Sequence, residues 1–74
     1  LVNVRFDGAR ESPLKQPAVQ EEIARHERLL GARGRVLIRA SGTEPVIRVM
    51  AEAEEEALVE NTVAALAEAI RAHT

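Results

Sequence analysis

Apolar and polar residues alternate at the start of the chain: Val2, Val4 and Phe6 share one parity, Asn3 and Arg5 the other. A period of two predicts a strand with one face buried. Asp7-Gly8 carries the turn chemistry that ends it. Residues 9–16 are polar, contain Ser12-Pro13 and have no period, so they predict a connection with space for a short turn of helix. From Pro17 the spacing becomes helical. Val19, Ile23 and Leu30, with Ala24 or His26 between them, form an apolar stripe, and Arg25 and Arg28 lie off it. Pro17 suits the first turn, Glu21 and Glu22 suit the positive end of the helix dipole, and Gly31 suits the stop. After the short loop of residues 31–34, Val36-Leu37-Ile38 and Val46 to Met50 predict two further strands, the second fading near Ala53. Glu54, Glu55 and Glu56 open a last helix. Leu58, Thr62, Ala65, Leu66, Ala69 and Ile70 form one face of it, widened by Val59 and Val63, and Arg71 and His73 suit its negative end.

The predicted order is β-α-β-β-α. The two later strands form an antiparallel hairpin, and the first strand can lie beside either of them. With both helices on one sheet face the fold class is α+β, a two-layer sandwich. The other face carries Arg39, Ser41 and Leu37. Seventy-four residues make a single small domain, of a size that buries only about 60% of its unfolded surface and folds with little margin.

Composition narrows the functions. A net charge of −2 gives no general basic field for nucleic acid, and Phe6, as the single aromatic residue, leaves no base-stacking platform. Without cysteine there are neither disulfides nor thiolate metal sites. No apolar run approaches the roughly 20 residues that span a bilayer. We therefore expect no nucleic-acid or membrane partner and a cytoplasmic location. The chain opens with Leu1, directly in strand-like sequence, as expected of a domain cut from something larger.

The predicted hairpin holds the candidate chemistry. Between its strands lies Ser41-Gly42-Thr43-Glu44-Pro45, flanked by Arg39 and Arg48. A guanidinium presents a fork that can bind two oxygens of a phosphate, and hydroxyls add short hydrogen bonds. Gly42 permits positive φ and close approach of the backbone to an anion. Arg39 and Ser41, two apart, share a strand face, and Arg48 can reach the same ligand. Glu44 would repel phosphate, so it is expected to orient an arginine or a backbone amide, while Pro45 sets the entry to the next strand. Composition alone fits a polar hairpin turn with solvated arginines equally well.

As a string, Arg39-Ala-Ser-Gly-Thr-Glu-Pro-Val-Ile-Arg-Val-Met50 is far more specific. It resembles the C-terminal phosphate-binding loop of the α-D-phosphohexomutase superfamily, most closely its bacterial glucosamine-phosphate branch. Leu1-Val-Asn-Val-Arg5 and Pro17-Ala-Val-Gln-Glu21 resemble the same domain, so the likeness covers essentially the whole chain. It implies a TATA-binding-protein-like domain at the end of a four-domain enzyme that interconverts glucosamine 6-phosphate and glucosamine 1-phosphate. The phosphoserine and the Mg²⁺ of that chemistry lie in earlier domains, so no metal is expected here. The resemblance implies that Arg39, Ser41, Gly42, Thr43 and Arg48 contact the substrate phosphate that is not being transferred. Ala40 stands where many relatives have proline or lysine. The expected partners are a phosphosugar and the other domains of the same polypeptide. A phosphomannomutase or phosphoglucomutase of the same superfamily, or a free-standing anion-binding module, are the alternatives.

Other reactive residues suggest blander roles. His26 has no second ligand at useful spacing and reads as a helix-boundary residue, and His73 as a residue of a frayed end. Glu52 and Glu54–Glu56 read as a solvated run before a helix rather than a cation site. Asp7 is the sole aspartate, so the aspartate-rich Mg²⁺ loop of the superfamily lies outside this chain. Ser41 and Thr43 read as ligands rather than nucleophiles, because flanking arginines stabilise phosphate and do not deprotonate a hydroxyl. Met50 reads as a strand core residue.

Overall fold

The structure, a computed structural model, describes residues 1–9 and 11–74. Among them the order is β1 (Val2–Arg5), a 3₁₀ turn (Pro13–Lys15), α1 (Pro17–Leu30), a second 3₁₀ turn (Gly31–Arg33), β2 (Gly34–Ala40), β3 (Val46–Ala53) and α2 (Glu56–Arg71). The expected β-α-β-β-α layout is present. The connection expected over residues 9–16 includes Arg10, which lies outside the described residues. Its later part forms the 3₁₀ turn, capped by Ser12 Oγ, which accepts from the Leu14 amide at 3.3 Å.

Strand order is β1-β3-β2, with both pairings antiparallel. The open question of the first strand's neighbour is thus resolved in favour of β3. Both helices cover one face of the sheet. Their buried residues Val19, Val63, Leu66, Ala67 and Ile70 join Val4, Ile47 and Val49 in one core. Val36, Ile38 and Ala51 have the same parity and pack at its margin. At roughly 25 cal/mol per Å² of apolar area removed from water, this burial holds the two layers together.

Met50 does not belong to that core. It is the cross-strand partner of Leu37, and both are half-buried on the face away from the helices. Strand alternation dictates this, because Ile47 and Val49 already point to the helices. The stripe of α2 is also rotated from expectation. Ala67 is buried, while Leu58, Ala65 and Ala69 are only half-buried, because Val63, Leu66 and Ile70 set the face that meets the sheet.

α1 begins at Pro17 as expected, but its first turn holds no acid. Glu21 and Glu22 sit a turn later, beyond the reach of the dipole. Glu22 instead pairs with Arg25 at 2.9 Å. That hydrogen bond holds the Glu22 carboxyl below its ordinary pKa and raises that of Arg25. His26 is not at a helix boundary. It is buried mid-helix, where Nδ1 donates to the Glu22 carbonyl at 2.8 Å.

Two glycines have structural reasons. Gly31 ends α1 at φ 54, a conformation that disfavours any side chain. Gly34 opens β2 where a Cβ would run into the carbonyl oxygen of Glu52 and the side chain of Ala53.

Candidate phosphate site on the open sheet face

Register places the site. Arg39 of β2 is the direct cross-strand partner of Arg48 of β3, and Arg48 is in turn opposite Asn3 of β1. One step toward the loop, Arg5 is opposite Val46, and the Ser41 amide donates to the Val46 carbonyl at 2.9 Å. Directly opposed residues share a face. Asn3, Arg5, Arg39, Ser41 and Arg48 therefore all project from the side that the helices leave open.

The loop is tied at both ends. Ser41 Oγ accepts from the amides of Thr43 and Glu44, at 3.4 and 3.3 Å. A serine holding the backbone two and three residues ahead makes a compact turn without help from the rest of the fold. On the far side the Val46 amide donates to the Glu44 carbonyl at 2.8 Å, closing a tight bend over Pro45. The Phe6 amide donates to the Pro45 carbonyl at 3.0 Å and so fastens the loop to the end of β1. The Gly42 amide has no hydrogen-bond partner among the described residues.

These elements enclose a cavity of about 210 Å³ lined by Asn3, Arg5, Ser41, Thr43, Glu44, Val46 and Arg48. A single water needs only about 10–15 Å³ of such space, so an anion with part of its hydration fits. Of the residues singled out from the sequence, Ser41, Thr43, Glu44 and Arg48 line the cavity. Arg39 does not line it but stands beside it, opposite Arg48 on the same face. Gly42 sits exposed at the loop tip, and a Cβ there would meet nothing within 4 Å. Its φ is not positive, so the conformational freedom expected of it is not used. What it contributes is open space where a side chain would stand.

Glu44 pairs with an arginine, Arg5, Nη2 to Oε2 at 3.1 Å. Asn3 and Arg5 were not among the candidates. Their signal was their parity in the first strand, opposite to Val2 and Val4, but it had no target until β1 was known to pair with β3.

Charge is unevenly distributed here. Arg35 pairs with Glu52 at 2.8 Å at the far end of the hairpin. Arg39 and Arg48 have no carboxylate partner among the described residues, although they oppose each other directly. Among the described residues no three His, Asp or Glu side chains come together in a way that could hold a metal ion. None of the helices described is long and apolar enough to cross a membrane.

The family model for the phosphoglucomutase/phosphomannomutase C-terminal domain matches residues 1–69. The chain belongs to this family. Phosphoglucomutase/phosphomannomutase C-terminal domains with close sequences occur in curated bacterial proteins. The phosphoglucosamine mutase of Gluconacetobacter diazotrophicus is 59% identical over 70 residues, which cover 95% of this chain and 15% of that protein. Phosphoglucosamine mutase 1 of Shewanella amazonensis is 50% identical over 74 residues, covering all of this chain and 16% of the relative. The phosphoglucosamine mutase of Rhodospirillum centenum is 56% identical over 75 aligned positions, again 16% of its length. The chain thus spans about a sixth of the length of the curated relatives it matches.

Proposed function

We propose that this chain is the C-terminal domain of a phosphoglucosamine mutase, which converts glucosamine 6-phosphate to glucosamine 1-phosphate in the cytoplasm. Its task is to grip the substrate phosphate that is not being transferred. One observation carries the reading: Arg39 and Arg48 oppose each other across two strands with no carboxylate between them, beside a cavity lined by Ser41 and Thr43. Like charges directly opposed in a sheet are unfavourable, and a dianion lying between them reverses the sign. Charge-assisted hydrogen bonds contribute roughly 1.5–3 kcal/mol each, so a few of them hold a phosphomonoester firmly but reversibly.

Gripping one phosphate fixes the sugar's other end for reaction, and orientation of this kind supplies a large share of a phosphoryl-transfer barrier. The bond-breaking groups, a phosphoserine and Mg²⁺, belong on this reading to other domains of the same polypeptide, and the 74-residue chain alone has no mutase activity. A loop that recognises phosphate and not sugar accepts the bisphosphorylated intermediate in either orientation. In the full-length polypeptide, Arg39→Ala is expected to raise KM and lower kcat while phosphoserine formation persists. Turnover kinetics equal to wild type would sink the assignment. The family's name also covers phosphoglucomutases and phosphomannomutases. Assay of the same polypeptide on glucosamine 6-phosphate and mannose 6-phosphate separates these substrates.

A further inference from the structure

Each strand sends one arginine onto the open face near the loop: Arg39 from β2, Arg48 from β3 and Arg5 from β1. Arg39 and Arg48 are the two that lack a carboxylate. Arg5 is held by Glu44, a residue of the loop itself. Arg5 and Glu44 both line the cavity, together with Ser41, Thr43 and Arg48. Their side chains are 73% and 59% exposed, so the pair is weak and easily exchanged. It is also not needed to fasten the loop to β1, because the Phe6 amide to Pro45 carbonyl bond already does so.

A carboxylate facing an anion site is a liability unless it has another charge to satisfy. Glu44 meets that condition only through Arg5. We infer that Arg5 is a further phosphate-positioning residue of this site and that Glu44 is its resident counter-ion, which a bound phosphate replaces. The inference rests on the phosphate reading above. In the empty site Glu44 keeps the Arg5 fork at the cavity wall, with its rotamers restricted. When a phosphomonoester dianion enters beside Ser41 and Thr43, one of its oxygens takes over the Arg5 donor and the Glu44 carboxylate turns to water. Exchanging one oxyanion for another leaves the guanidinium paired throughout, so little desolvation accompanies the handover. The third arginine also lines the cavity from the β1 side, whereas Arg39 stands beside it.

The test titrates the 74-residue chain with inorganic phosphate at pH 7.5 and constant ionic strength, following amide and arginine Nε–Hε resonances by NMR. Amide dispersion in each variant checks that it is folded. With Glu44→Gln, Arg5 is released, and phosphate should bind about three- to tenfold more tightly. Adding Arg5→Gln to that variant should remove the gain and weaken binding about tenfold. Arg5→Lys in its place should restore part of it, since charge returns without the fork. The Arg5 Nε–Hε resonance should move with the same midpoint as the Ser41 to Glu44 amides. Affinity that changes less than twofold between Glu44→Gln and the double variant overturns the inference. Arg48→Gln is the control for the underlying reading: if phosphate does not bind wild type, or binds Arg48→Gln equally well, both fall together. Binding that needs Arg48 but ignores Arg5 overturns this inference alone.

Discussion

Arg39 and Arg48 present two exposed guanidinium groups from adjacent strands, and the residues between them decide what an anion touches. Gly42 is the most instructive of these. Its backbone lies outside the left-handed region and no atom would touch a Cβ. Gly42→Ala should therefore leave stability within about 0.5 kcal/mol of wild type, as for other surface changes away from special features. Phosphate affinity should fall, because the new methyl occupies the approach to the one loop amide without a partner. Thermal melts together with a phosphate titration check both halves; a large loss of stability would mean that the loop needs the glycine backbone after all. Part of the candidate site's layout was legible in the sequence: Ser41, Thr43, Glu44 and Arg48 line one cavity, and Arg39 stands beside it. What was not legible was which glycine needs positive φ, since composition says that a glycine is permissive and not whether the chain uses it.

At the scale of elements, the site depends on the register of β2 against β3, and Gly34 sets the start of that register opposite Ala53. A methyl group at Gly34 would strike the backbone of Glu52, an obstacle that cannot rotate away. Overpacking of this sort costs roughly 1–3 kcal/mol. In a domain of 60–100 residues each kcal/mol moves Tm by about 4–8 °C. Gly34→Ala should accordingly lower Tm by roughly 5 °C or more, measured by circular dichroism, and Gly31→Ala should also destabilise through its positive φ. A Gly34→Ala melt matching wild type would show that the strand end yields freely. Strand parity announced the two sheet faces correctly, with Val4 inward and Arg39 outward. The position of β1 was not announced, because a strand that reaches its sheet through a helix satisfies the same alternation beside either neighbour. Met50 was misread for a related reason: its chemistry is that of a core, and only its parity relative to Ile47 and Val49 reveals the open face. His26 likewise resembles a polar boundary residue until its bond to the Glu22 carbonyl explains how an imidazole is buried in α1.

For the molecule as a whole, the helices and the candidate site occupy opposite sides of one three-stranded sheet. Binding on one side reports on the fold of the other by mass action, since an unfolded chain offers no convergent site. At ten times its dissociation constant, phosphate should add about 1.4 kcal/mol to stability, which in a domain of this size is roughly 5–10 °C in Tm. Chloride at equal ionic strength should not reproduce the rise. A Tm insensitive to phosphate would argue that the three arginines are merely solvated. The difference between the two faces was implicit in the sequence, with Val2, Val4, Ile47 and Val49 of one parity and Arg5, Arg39 and Arg48, beside Leu37 and Met50, of the other.

The strand order leaves β2 on the rim of the sheet, with Val36-Leu37-Ile38 at its middle and Arg35 and Arg39 on either side. An uncapped strand with that hydrophobic centre invites a neighbouring molecule to add its own strand, and flanking cations deter it. Arg39 thus stands guard against clumping, apart from the ligand role proposed for it. Neutralising it opens one flank of a sticky segment, and glutamine there protects less than lysine would.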